Sequence, residues 1–179
     1  MRNYRKQDSS PDIGPEFQSR TAPRILLIED APGEAELFCA ALFVAWKSLE
    51  SASGLTQPKI DLVRTAQAGL DSLRQAIELR NCDLPDLIVL DFDLPLRDSV
   101  RFLQELKEHP RLATLPVIVM AWSVEESTVR SLGALGVAGY VVKPMRFDDL
   151  VMMVGDFCAR ILPSFPHQDL HSLDRGHRS

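Results

Sequence analysis

The sequence has little of what would mark several common protein classes. It has only three cysteines (Cys39, Cys82, Cys158), odd in number and far apart, which excludes both a disulfide framework and a zinc site. Such cysteine usage suits a reducing compartment, so a cytoplasmic protein is expected. No run of apolar residues reaches the length of about eighteen that a membrane-spanning helix needs. The opening, MRNYRKQDSSPDIGPEF, lacks the apolar core of a secretory signal. Basic charge is not in excess either: Lys and Arg total 20 against 25 Asp and Glu, a net charge of −5. Without a basic surface to displace counterions from phosphates, nucleic acid is not an expected partner.

What remains is an ordinary globular composition over 179 residues, 45% hydrophobic and 25% charged, enough for one domain. Residues 1–23 are polar, carry Pro11, Gly14, Pro15 and Pro23, and read as a flexible leader. Residues 163–179 hold three of the four histidines and read as a flexible tail. The segment 24–162 contains 14 basic and 20 acidic residues, so the acidity belongs to the folded part. No second folded segment is expected after residue 162, and hence no output domain.

Within 24–162, short apolar runs alternate with helical patterns. Strands are expected at Arg24–Ile28, Ile60–Thr65, Asp86–Leu90, Val117–Ala121 and Gly139–Val142. Ile-Leu-Leu-Ile, Leu-Ile-Val-Leu and Val-Ile-Val-Met are continuous apolar runs, as suits strands covered by helices on both faces. Helices are expected at 32–47, 66–80, 98–108, 124–135 and 146–162. Ser123 with Glu126 forms a capping box for the fourth, and Gly133 and Gly136 weaken its end. In the fifth, Phe147, Leu150, Val151, Val154, Cys158 and Ile161 form one apolar face. Five βα units in succession predict a parallel sheet sandwiched between helices, with ligands at the carboxyl ends of its strands.

Carboxylates collect at those ends. Glu29 and Asp30 follow the first strand, and Asp91 and Asp93 follow the third. Singly, each has a bland explanation: Glu29 and Asp30 favour the next helix's N-terminus, as Glu34 and Glu36 do, and Asp91 opens a turn before Leu94-Pro95. Together, three carboxylates at adjacent strand tips describe a hard, oxygen-rich cation site, for which magnesium (Mg2+) fits best. Lys143-Pro144 closes the fifth strand, where its ammonium reaches the same acidic mouth.

The stretches ILLIEDAPGEAEL, PDLIVLDFDLP with Asp98 after it, PVIVMAWS and GYVVKP resemble the receiver domain of bacterial two-component response regulators. The resemblance spans about 24–162. It implies a flavodoxin-like (βα)5 three-layer sandwich whose parallel sheet has the order 2-1-3-4-5. It also implies that Asp91 accepts a phosphoryl group from the phosphohistidine of a sensor histidine kinase or phosphotransfer protein. Asp30 and Asp91 would then bind magnesium directly, Glu29 through water, and Asp93 through its backbone carbonyl. Lys143 would pair with Asp91 and then with its phosphoryl group, Tyr140 holds the aromatic switch position, and the Lys143–Pro144 bond would be cis. The connection after the first helix resembles that of single-domain regulators paired with bacterial phytochrome kinases. Such a protein is no enzyme; it acts on a downstream protein target or relays phosphate. Between 24 and 162 the only histidine is His109, so the domain would not itself be a phosphohistidine donor.

Two positions depart from the family pattern. Ala121 stands where a Thr or Ser hydroxyl usually bonds the phosphoryl group, and Ser99 follows Asp98 where Gly is usual. Ala121 favours an alternative, a pseudo-receiver scaffold that signals without phosphate; a magnesium-dependent phosphatase on the same fold has no additional base to support it. The first helix, LFCAALFVAW from Leu37 to Trp46, is apolar nearly all round. Leu37, Ala40, Ala41 and Val44 suffice to cover the sheet. Phe38, Leu42, Phe43 and Trp46 then extend the stripe under the 47–58 connection or into a homodimer contact through Phe38, Phe43 or Trp46.

Overall fold

The computed structural model describes residues 22–53, 57–79, 84–123 and 132–161. Five parallel strands, β1 (Arg24–Ile28), β2 (Lys59–Val63), β3 (Leu87–Asp91), β4 (Val117–Ala121) and β5 (Gly139–Val142), form one sheet of order β2-β1-β3-β4-β5. Among the described residues the long helices are α1 (Pro32–Ser53), α2 (Ala66–Glu78), α3 (Leu96–Glu108) and α4 (Phe147–Ile161). This is the flavodoxin-like order expected from five βα units. β2 and β5 are the margins. β2 exposes Lys59 and Asp61, the latter paired with Arg24 at 2.6 Å, whereas the Gly-Tyr-Val-Val of β5 carries no charge.

Alternation along the strands divides the core in two. Ile25, Leu27, Leu87, Val89, Ile118 and Met120 face one cluster, filled by Phe38, Leu42 and Trp46 of α1 and Val154 of α4. Leu26, Ile28, Ile88, Leu90, Val117 and Val119 face the other, filled by Leu70 and Leu73 of α2 and Phe102, Leu103 and Leu106 of α3. Every residue of β3 and β4 is buried, so these central strands read as unbroken apolar runs. Thr65 caps α2, its hydroxyl accepting from the Ala68 N–H at 3.1 Å. Gly69 lets that helix lie close to the sheet: a Cβ there would come within 2.7 Å of Ile28 Cδ1 and 3.2 Å of Phe102 Cε2.

The structure corrects three expectations. The sheet-facing stripe of α1 is Phe38, Ala41, Leu42, Ala45 and Trp46, all buried, while Leu37, Phe43 and Val44 are exposed. Both stripes satisfy the helical period, and the large aromatic side chains take the side where the sheet can bury most area. Phe38 and Trp46 are therefore core, and only Phe43 of the three proposed contact aromatics faces solvent. α1 runs on to Ser53, through part of what was expected as a connection. The Lys143–Pro144 bond is trans, since the described residues hold no cis peptide. Trans is the ordinary preference even before proline, and the long lysine side chain reaches Asp91 without the turn. Of the helix expected at 124–135, residues 124–131, with Glu126 of its capping box, lie outside the described residues. Residues 132–134 are helical, and Gly136, at φ 66°, makes the left-handed turn that ends them.

Candidate functional site at the strand tips

Between β1 and β3 the strand order reverses, which opens a crevice at their carboxyl ends. The register pairs Ile28 with Leu90, so Glu29 and Asp91 emerge side by side. Ala121 pairs with Val142 and accepts from the Lys143 backbone N–H at 2.8 Å, which sets that lysine at the same level.

Lys143 is the hub. Its Nζ lies 2.8 Å from Asp91 Oδ1, 3.3 Å from Glu29 Oε2 and 3.6 Å from Asp93 Oδ2, and it also bonds Glu34 Oε2. Glu29, Asp91 and Lys143 are all buried. Burial works against the ammonium, but hydrogen bonds to Asp91 and Glu34 and the charges of Asp91 and Glu29 outweigh it and raise its pKa above the usual lysine value. Glu29 goes the other way: burial pushes its carboxyl up to about 7, against the Ala31 N–H that donates to it at 2.9 Å. The Asp93 N–H donates to Asp91 Oδ1 at 3.0 Å and fixes the loop after β3.

The tips thus bring together Glu29, Asp91, Asp93 and Lys143 from the sequence-derived set. Asp30 is exposed and outside the cluster. Ala121 is buried beneath the mouth, and Tyr140 is exposed on β5. Two residues escaped sequence reasoning. Glu34 reads as an acid favouring a helix N-terminus, yet it enters the cluster: oxygens of Glu29, Glu34 and Asp91 all lie within 4.8 Å of one another. Its place in the first turn of α1, directly after Glu29-Asp30, was the available signal. Trp122 follows β4; its backbone N–H donates to Asp93 Oδ2 at 3.1 Å and its indole N–H to Glu34 Oε1 at 3.3 Å.

A family profile described as the response regulator receiver domain matches residues 49–155, which hold Asp91, Ala121 and Lys143. The chain belongs to this family. Among curated receivers it is 31% identical to response regulator Rcp1 of Synechocystis, over 73% of this chain and 82% of that one. It is also 31% identical to a probable methanogenesis regulatory protein, FilR2 of Methanothrix harundinacea, over 78% and 83%. Among solved structures, the phosphorylated cyanobacterial phytochrome response regulator RcpA matches with a TM-score of 0.66 and 29% identity, covering 80% of this chain and 96% of that one. The Mn(2+)-bound form of Rcp1 matches with a TM-score of 0.63 and 29% identity, covering 79% and 96%. The two solved structures share the flavodoxin-like fold found here.

Proposed function

We propose that this receiver is a stand-alone response regulator whose Asp91 accepts a phosphoryl group from the phosphohistidine of a sensor histidine kinase or phosphotransfer protein. It acts in the cytoplasm, through contacts with a downstream protein target or by passing the phosphoryl group on, and catalyses no reaction on an external substrate. The observation that carries the reading is the buried Asp91 carboxylate at the tip of β3, held 2.8 Å from the Lys143 ammonium.

In the transfer, an Asp91 oxygen attacks phosphorus while the P–N bond to the donor histidine breaks and its electron pair leaves with the imidazole nitrogen. Little covalent help is needed, so positioning and charge neutralisation supply the rate. Lys143 stays protonated and can turn from the carboxylate to an oxygen of the arriving phosphoryl group. The Asp93 N–H keeps Asp91 oriented. The donor set, carboxylate oxygens within 4.8 Å of one another, suits a hard divalent cation. Glu29, Asp30, Asp91 and the Asp93 carbonyl are the candidates to hold magnesium, with Glu34 added by the structure; bound there, magnesium would supply further neutralisation of phosphoryl charge. A second copy of the chain is a candidate partner through the exposed Leu37, Phe43 and Val44 of α1.

The test is incubation with acetyl phosphate and magnesium followed by intact-mass measurement. The wild type should gain one phosphoryl group, and Asp91→Asn or added EDTA should abolish the gain. Labelling of the Asn variant would move the site elsewhere. A wild type labelled neither by acetyl phosphate nor by a phosphohistidine donor, beside a labelled control receiver, would favour the scaffold reading that Ala121 supports.

A further inference from the structure

Asp91 is only 2% exposed, although a phosphoryl donor must reach it in line, and Trp122 packs on the lysine that is paired with it. The Trp122 ring centroid lies 5.7 Å from Lys143 Nζ, within range of a cation–π contact. Its indole N–H bonds one oxygen of Glu34 while the other oxygen of the same carboxylate bonds Lys143. Its backbone N–H bonds Asp93. The indole thus spans from the tip of β4 to the first turn of α1 over the lysine, with 45% of its surface still facing solvent.

We propose that Trp122, latched by Glu34, is a specificity-determining roof over Asp91 that holds back small phosphoryl donors and water. The inference rests on Asp91 being the phosphoacceptor. Two reactions pass beneath the roof. With acetyl phosphate, an Asp91 oxygen bonds phosphorus as the P–O bond to acetate breaks and acetate leaves with the electron pair. In hydrolysis, water attacks the same phosphorus, the bond to Asp91 breaks, and carboxylate and inorganic phosphate result. Both need an approach to Asp91, and the indole lies over the lysine that is 2.8 Å from that carboxylate. A protein donor can displace the indole with contacts of its own, whereas acetyl phosphate has none to offer. Glu34 serves as a positioning residue, acting through the tryptophan.

The experiment compares wild type, Trp122→Ala and Trp122→Phe in two assays. The first follows labelling by acetyl phosphate with magnesium and the half-life of the phosphorylated protein. Trp122→Ala should label about tenfold faster and lose its phosphoryl group about tenfold faster, the effect of one charge-assisted hydrogen bond on a rate. Trp122→Phe keeps the ring and loses the bond to Glu34, so it should fall between. The second assay needs no phosphorylation: a water-soluble carbodiimide couples an amine to accessible carboxyl groups, and peptide masses report whether Asp91 is modified. Asp91 should be protected in the wild type and modified in Trp122→Ala. Equal modification of Asp91 in wild type and Trp122→Ala would overturn the roof, and unchanged labelling and hydrolysis rates would overturn its role in donor access. Trp122→Phe indistinguishable from wild type would overturn the Glu34 latch. A protein that no donor phosphorylates, but whose Asp91 is unmasked in Trp122→Ala, would keep the roof and overturn the phosphoacceptor reading.

Discussion

Replacing Lys143 by Met tests the electrostatic structure of the site most directly. The ammonium lies 2.8 Å from Asp91 and 3.3 Å from Glu29. With an effective dielectric constant of about 20, those attractions are worth about 6 and about 5 kcal/mol. They are gross values, offset in the wild type by desolvation of all three groups and in the variant by entry of water and protonation. Stranding buried carboxylates by removing their partner typically costs about 3–5 kcal/mol. That is a large share of a domain stability of about 5–15 kcal/mol. At a urea dependence of about 1–3 kcal/mol per molar, the midpoint at pH 8 in EDTA should fall by about 2 M. The deficit should shrink with acid. The lysine's charge holds the raised pKa of Glu29 down, so without it the folded-state value stands further above the unfolded one, and the folded state binds more protons and loses stability as pH rises. At pH 5 the variant should approach the wild type, and magnesium at pH 8 should restore much of the loss. Equal stability at pH 8 in EDTA would refute the reasoning. A deficit unchanged between pH 5 and pH 8 would do so too, since it would reflect lost packing and not charge.

Glu29→Gln should flatten the pH dependence of stability. With the folded pKa at about 7 and the ordinary value at 4.5, Glu29's favourable contribution is fully present below 4.5, is lost as pH rises to 7, and is then constant. The difference amounts to about 3 kcal/mol at about 1.4 kcal/mol per pH unit, and parallel denaturation curves for both proteins from pH 4.5 to 8 would contradict it. Ala121→Thr should enlarge the spectral change that beryllofluoride, a mimic of the phosphoryl group, produces by NMR. The hydroxyl adds a bond to a charged group worth about 1.5–3 kcal/mol, a shift of about 10- to 100-fold in the active–inactive equilibrium; a wild-type response as large as the variant's through α4 would show that Ala121 does not weaken the coupling. Light scattering should report a dimer at high micromolar concentration that Phe43→Glu dissociates, and a monomeric wild type under those conditions would remove the second-copy contact.

Most of the fold was legible because the strands are simple. β1 and β4 fall at their expected bounds, and β3 begins one residue later than expected and takes in Asp91, since a strand buried on both faces announces itself as a continuous apolar run; β5, though a margin, also falls at its expected bounds. β2 is shifted by a residue or two toward its N-terminus; as a marginal strand it alternates less clearly. The face of α1 was not legible, because LFCAALFVAW satisfies the helical period on more than one side and only the sheet's shape decides which aromatics go in. At the site, Glu29, Asp91 and Lys143 could be placed from their strand-end positions. Glu34 and Trp122 could not, because their part depends on which way a first helical turn and a loop aim two long side chains over the same lysine.

The two margins of the sheet have unequal consequences for the unfinished molecule. A foreign strand adding alongside β2 would have to strip water from Lys59 and break the pair between Asp61 and Arg24. Charges of this kind are how natural sheets discourage edge-to-edge aggregation. At β5 no charge opposes such addition, and Tyr140 and Val142 already face outward. Among the described strands β5 is also the last to be synthesised, after its parallel partner β4. Until β5 pairs, the Val-Ile-Val-Met of β4 keeps an open edge, and this is the side of the sheet where charge opposes addition of a foreign strand least.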